Sequence, residues 1–376
     1  MSQLKNVDYD SLDRAKNAFI AASKKTLTFA EKFGFIPGNS LGASANIFSL
    51  NLKPFIENNS SELFLTLLPE GLGTADDARP DDLSDSELKE FWNNIAYKTM
   101  SALTNDAAAS GLQTILIGLY LPSSTPELVF NENFMQGFLD GLTEACRQVG
   151  CVYFSGETPQ LKDKIVENKL DVAGALFAIS PPGKKPVSTE NLKAGDQIVM
   201  VESSGPHENG FTVLRKLAET LPQGYRSKLD NGVEFWRAMN APSKLYTSFI
   251  QSILNAGIQP TAIENVTGHG WQKIMRSGKN LSYVIENMLP VTEIFKFVER
   301  AAKLSPAEMI KIFNYGAGQV VFLESAAQAN AVVELAKKSG LNAIHAGKIE
   351  TADRREVVVK PLNVTLSSAE FNLQRN

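Results

Sequence analysis

A mixed α/β architecture in two halves is what this sequence predicts, on three observations. Segments with helical apolar spacing alternate with short apolar runs bounded by turn residues along most of the chain. A stretch rich in proline, lysine and turn formers, PPGKKPVSTENLKAGD at 181–196, interrupts that alternation near the middle. At 376 residues the chain has a prior of about two or three domains, and burying roughly three quarters of its unfolded surface needs no staple. The expected division is a first domain at 1–180, a linker at 181–196, a second α/β domain at 197–362 and a loose tail at 363–376.

Each element has a local reason. Apolar spacing predicts a helix from about Ser11 to Phe33, capped by Asp10, with Lys24 and Lys25 on its polar face. The Gly/Ser/Asn-rich run GFIPGNSLGASANIF reads as a loop, and LFLTLLP (Leu63 to Pro69) as a buried strand delivering the chain to EGLGT. The acidic stretch TADDARPDDLSDSE is a solvated loop, within which Ser84 and Glu87 form a capping box for a helix running to about Ala109. QTILIGLYL is a core strand, about Asn131 to Val149 a helix, and CVYF and LDVAGALFAIS are strands. Beyond the linker come the strand QIVMVES, alternating helices and strands as far as QVVFL, a helix at about Ala326 to Ser339, and the strands NAIHAGKI and EVVVK.

Composition narrows the function. Hydrophobic residues at 43% and charged residues at 21% fit a soluble globular protein. A net charge of −4 without a basic stripe argues against nucleic-acid binding. The N-terminal MSQLKNVDYDSLDRAKN lacks the apolar core of a secretory signal, and the run Thr114 to Leu121 is far too short to span a bilayer, so no membrane partner and a cytoplasmic location are expected. Two cysteines, Cys146 and Cys151, supply neither a disulfide framework nor a zinc ligand set and read as buried thiols. With only His207, His269 and His345 available, any metal is held by oxygen.

The most informative stretch is SSGPHENGFTVLRK, Ser203 to Lys216. Gly205 and Gly210 free the backbone to converge on a ligand, Pro206 stiffens the turn, and Asn209 is placed to cap a helix carrying Phe211, Leu214 and Leu217. A helix N-terminus of that kind favours phosphate or carboxylate, and His207 stands in the loop as donor, acid or base. An ordinary capped turn with a surface histidine is the competing reading.

This loop resembles SGPH-x-NG of the phosphoribosylformylglycinamidine cyclo-ligase (aminoimidazole ribonucleotide synthetase) family. Six further blocks resemble the family's in order: NDAAASG (Asn105 to Gly111), SGET (Ser155 to Thr158), DVAGALFA (Asp171 to Ala178), NAPSKLY (Asn240 to Tyr246), VTGHGW (Val266 to Trp271) and FNYGAGQVV (Phe313 to Val321). The resemblance implies the two-domain α/β synthetase-like fold with mixed sheets, a ribonucleotide substrate, ATP and Mg²⁺, and a homodimer joined through its N-terminal sheets.

It also implies roles. His207 acts on the substrate amide or its phosphate, with Asp106 and Glu157 also catalytic, and Asp106, Glu157 and Glu70 bind metal. Gly71, Gly73, Thr74, Asn105, Ser204, Gly205, Asn209, Gly210, Thr267, Gly268 and Lys25 hold ATP or phosphate. The chain departs from TDGVGTK at Glu70, where the family has aspartate, and at Ala75, where it has lysine. Lys98 stands close to a family aspartate, either as a compensating cation or as a solvent-facing helix residue, and His269 replaces a glycine. Phe313 reads as core, Asn314 as a bond behind the pocket, and His345 as structural. Rival readings are a ribonucleotide-binding or regulatory relative with weakened ATP chemistry, or an ATP-dependent enzyme on a related substrate.

Overall fold

A computed structural model describes residues 9–38, 41 and 45–367. The first half contains α1 (Tyr9–Thr26), β1 (Phe35–Pro37), β2 (Phe48–Leu50), α2 (Lys53–Glu57), β3 (Leu65–Gly71), α3 (Asp85–Ala109), β4 (Gln113–Tyr120), α4 (Pro126–Phe130), α5 (Glu132–Val149), β5 (Val152–Glu157) and β6 (Ala173–Ile179). The second contains β7 (Gln197–Glu202), α6 (Phe211–Thr220), α7 (Phe235–Met239), α8 (Thr247–Asn255), β8 (Ala262–Asn265), β9 (Leu281–Ile285), α9 (Glu293–Ala302), α10 (Pro306–Ile312), β10 (Ala317–Leu323), α11 (Ala326–Lys338), β11 (Ala343–Thr351), β12 (Glu356–Val359) and β13 (Val364–Ser367). The mixed α/β class stands.

Strands β3 to β6 form a four-stranded sheet in the order β3-β6-β4-β5, and β7 to β13 a seven-stranded sheet in the order β13-β12-β9-β11-β7-β10-β8. Helix α3 lies against the first sheet and reaches β8 of the second, so its C-terminal turns sit where the halves meet. Its N-terminus has the expected capping box: Ser84 accepts from Glu87 N while the Glu87 carboxylate accepts from Ser84 N. Cys146 and Cys151 are buried free thiols, as read from the sequence.

Several expectations are corrected. Helix α1 ends at Thr26 and is followed by a separate 3₁₀ turn at Glu31–Phe33. Asp10 lies inside α1 and its side chain falls outside the described residues, as do residues 1–8. The stretch read as loop carries β1 and β2, which pair antiparallel and set Phe35 and Phe48 against Phe154; residues 39–40 and 42–44 lie outside the described residues. Strand β3 is not buried. It is a sheet edge with Leu65 55% and Leu67 72% exposed, because α3 covers only one face. The tail contributes β13, antiparallel to β12, and only 368–376 lie outside the described residues.

Candidate active site

The histidine loop is folded by bonds from three sides. Asn314, fully buried, donates from Nδ2 to the Gly205 carbonyl at 2.8 Å and accepts from the Ser203 hydroxyl at 2.8 Å, which sets it behind the loop. Ser204 Oγ donates to the Pro242 carbonyl at 2.5 Å. The loop leaves through Gly210 in the left-handed region (φ +76°), and Gly210, not Asn209, is the N-cap of α6. A side chain there is excluded twice, since a Cβ would come within 2.1 Å of the core ring of Phe313.

His207 is buried, with φ +56°. Its Nε2 accepts from the Ser204 and Lys244 amides, each at 3.3 Å. Burial, with the cations Lys98 and Lys244 nearby, pushes the ring down to about 3, so it is neutral and Nδ1 carries the proton. The ring nitrogen that could take a proton is already engaged. His207 therefore shapes the loop through Nε2, and of the roles expected for it, donor, acid or base, the last is closed at that nitrogen.

Lys98 is not a solvent-facing residue. It is fully buried beneath the loop, donates to the His207 and Ala241 carbonyls, and stands 5.2 Å from the Phe211 ring centroid. Burial pushes its ammonium down to about 7, opposed by Glu208. Burial likewise pushes the Glu208 carboxyl up to about 7; Lys98 and the Ser101 hydroxyl pull it down, and Asp106 pushes it up. Sequence reasoning missed Glu208, although it occupies the variable position of SGPH-x-NG.

Asp106, near the end of α3, accepts from Asn265 Nδ2 at 2.7 Å and lines a cavity of about 280 Å³ with Thr66, Ser188, Glu264, Asn265 and Arg276. Its neighbour Asn105 does not face a ligand. The Asn105 amide donates to Ser101 Oγ and the Lys244 carbonyl and accepts from Tyr246 N, bolting NAPSKLY onto α3. Thr267 accepts from Lys273, a nearly buried lysine in the turn after β8 that sequence reasoning also missed. A Cβ at Gly268 would lie 3.7 Å from Asn209 Oδ1, so that turn and the histidine loop adjoin. His269 is exposed at φ +71°, and His345 bonds Gln197 within its sheet.

The EGLGT turn is open. At Gly71 and Gly73 (φ +72°) a Cβ would meet nothing within 4 Å, and Thr74 is exposed. Ala75 instead points into the core with no exposed surface, so the position of the family lysine is interior here. Burial and Asp106 both raise the Glu70 carboxyl, while Lys273 lowers it.

The three-carboxylate metal set is not brought together. Gly71, Ala173, Tyr120 and Glu157 share one row across the sheet, so alternation puts Glu157 on the face opposite Glu70. Among the described residues no three His, Cys, Asp or Glu side chains converge as a metal site. Glu70 and Asp106, a like-charge pair, fit a cation that arrives with phosphate oxygens. Glu157 lines a separate cavity of about 720 Å³ between α1 and the open sheet face, with Lys16, Phe19, Tyr120 and Ala175. Lys25 is exposed at the end of α1 and is not among the residues lining it.

Residues 84–179 match the family model for AIR synthase related protein, N-terminal domain. The phosphoribosylformylglycinamidine cyclo-ligase of Agathobacter rectalis is 28% identical over 268 residues, 68% of this chain and 75% of that protein. That of Pyrococcus horikoshii is 27% identical over 361 residues, 96% of this chain and 98% of that protein. The chain is similar to cyclo-ligases along most of its length, and its residues 84–179 match the AIR synthase-related N-terminal domain. Solved structures extend the likeness at the level of fold. Thiamine-monophosphate kinase from Stenotrophomonas maltophilia aligns with TM-score 0.61 at 15% identity, covering 90% of this chain and 94% of that one. The hydrogenase maturation protein HypE of E. coli aligns with TM-score 0.58 at 15% identity, covering 96% and 98%. A HypE solved in complex with ATP gives TM-score 0.59 at 14% identity, covering 90% and 91%. The blocks NDAAASG, NAPSKLY, VTGHGW and FNYGAGQVV meet around the histidine loop, whereas SGET lies on the other face of the first sheet; Ala75 and Lys98 are both interior.

Proposed function

We propose that this protein closes the imidazole ring of aminoimidazole ribonucleotide from formylglycinamidine ribonucleotide, using ATP to phosphorylate the amide oxygen. The observation that carries the reading is the convergence of the histidine loop, the Asp106 end of α3 and the Thr267–Gly268 turn in a chain whose near full-length relatives are named as cyclo-ligases. The open EGLGT backbone is the phosphate-binding candidate, together with Thr267, Gly268 and Asn209.

Magnesium, when bound with the nucleotide, lowers the charge of the transferring phosphoryl group, and Glu70 with Asp106 would hold it. The protein's own contribution is positioning: Asn314, Lys98 and Asn105 fix the loops, and neutral His207 keeps the loop shape through its two amide bonds. A cytoplasmic homodimer completes the reading. Its support is the uncovered apolar surface of the first sheet, where Leu67 is 72% and Tyr120 44% exposed. Among the described residues no helix is long and apolar enough to cross a membrane.

Complementation tests this reading. Expression in a strain lacking its cyclo-ligase restores growth without added purine; a stable, expressed protein that leaves the strain purine-dependent contradicts it.

A further inference from the structure

Most cations where the two halves meet are already engaged. Lys98 donates to the His207 and Ala241 carbonyls, Lys244 pairs with Glu202 at 3.2 Å, Lys273 donates to Thr267, and Lys169 and Arg215 share Asp77. Arg276 is different. Its guanidinium makes no hydrogen bond to any described residue and meets the Glu264 carboxylate at 3.6 Å. Glu264, on β8, is 2% exposed, so it holds the guanidinium from inside the fold while 27% of the arginine side chain stays open. Arginine presents its N–H donors in a rigid planar fork, and a fork held from one side with its donors free fits a phosphate.

We propose that the cavity of about 280 Å³ between the halves binds the sugar phosphate of the ribonucleotide, with Arg276 gripping the phosphate. This inference rests on the ring-closing reading above and names where that substrate is anchored. Hydroxyls of Thr66, Ser110 and Ser188 share the cavity wall with Arg276. They come from β3, from the end of α3 and from the segment joining the halves, so a ligand there touches both halves at once. Ser110 already donates to the Asp106 carbonyl, which leaves its oxygen as an acceptor for a sugar hydroxyl. Ser188 already accepts from the Glu190 amide, which leaves its O–H to donate to phosphate.

Size and charge select the ligand. Pockets for drug-sized molecules run about 300–1,000 Å³, so about 280 Å³ suits a sugar phosphate and is small for a whole nucleoside triphosphate. Two carboxylates, Glu264 and Asp106, line the cavity, but Arg276 matches the first and the neighbouring Lys273 ammonium opposes the second. The wall therefore sets no net negative charge against a phosphate. Because Asp106 lines the same cavity, a ribonucleotide held at Arg276 lies beside the end of α3 where the ring-closing reading puts the metal and the transferred phosphoryl group.

The test measures calorimetric binding of ribose 5-phosphate, with ribose as control, to wild type, Arg276→Met and Arg276→Lys, alongside ring-closing kinetics and thermal unfolding of each. Wild type is expected to bind ribose 5-phosphate more tightly than ribose, and Arg276→Met to raise its Kd about tenfold or more through the lost charge-assisted bonds. Arg276→Lys keeps a cation against Glu264 and is the check should the methionine variant not fold; without the fork its Kd rises about threefold or more. KM for formylglycinamidine ribonucleotide rises by similar factors while KM for ATP stays within about twofold, and kcat moves less than KM. Wild type that binds ribose 5-phosphate no better than ribose overturns the proposal, as do folded variants whose Kd matches that of wild type. Wild type that forms no imidazole yet binds ribose 5-phosphate through Arg276 defeats the ring-closing reading and supports the site. Ring closure with KM unchanged in both variants defeats the site alone.

Discussion

The histidine loop and the EGLGT block face the same junction and are built in opposite ways. The loop is buried and cross-bonded: Asn314, Lys98, Lys244 and Pro242 each hold one of its backbone or side-chain atoms. The block at Gly71–Thr74 is exposed, with empty space around its glycines, and its next residues, Ala75 and Asp76, turn into the core. The loop is set by the fold around it, and the block is open backbone. This contrast explains why the loop's motif is retained while the block's residues differ: a position fixed by four neighbours has few substitutes, whereas an open turn asks only for its backbone shape.

The largest way to break the contrast is beneath the loop. Lys98→Met removes the buried donor shared by the His207 and Ala241 carbonyls and should destabilise the fold by about 3–5 kcal/mol, since each buried carbonyl left unpaired costs about 1–3 kcal/mol. Denaturant titrations of the variant and the wild type measure it.

The second largest effect lies in the block and has the opposite sign. Asp76 is 4% exposed, and burial first, then Asp77, pushes its carboxyl up to about 7. A folded value above the unfolded one gives stability that is fully present below pH 4 and is lost as pH rises through 7. Asp76→Asn should therefore match wild type near pH 4 and exceed it by on the order of 3 kcal/mol at pH 8. Melting curves across that range check the sign.

A matched pair of substitutions sharpens the comparison. Both Gly210 and Gly73 hold positive φ, so alanine strains each backbone by about 1–2 kcal/mol. Only at Gly210 does the added Cβ also strike Phe313, so Gly210→Ala should cost about 2–3 kcal/mol. Gly73→Ala should cost about 1 kcal/mol and act mainly on nucleotide affinity. Equal destabilisation by the two would erase the distinction between the regions.

What could be read in the chain follows the same line. The capping box at Ser84, the helix from Asn131, the strands of the core and the motif order were legible because each rests on local spacing and chemistry. Strand β3 looked buried because Leu63 to Leu68 are mostly apolar, and composition does not say which face of a sheet is left uncovered. Lys98 read as a possible surface residue because a helix lysine has no local mark of burial; its partners are carbonyls 109 and 143 residues away. Glu157 was grouped with Asp106 by motif, and only strand register reveals that it faces the other side of the sheet. The proton status of His207 depends on two amides brought to its ring by folding, one of them from a different loop.

The most direct measurement is incubation of the purified wild-type protein with formylglycinamidine ribonucleotide, ATP and Mg²⁺ while ADP and aminoimidazole ribonucleotide are followed together. Equal amounts of both products, dependent on the ribonucleotide, are what ring closure by this chain predicts. Folded protein that binds the ribonucleotide but yields neither product, or that releases ADP without any imidazole, would contradict it.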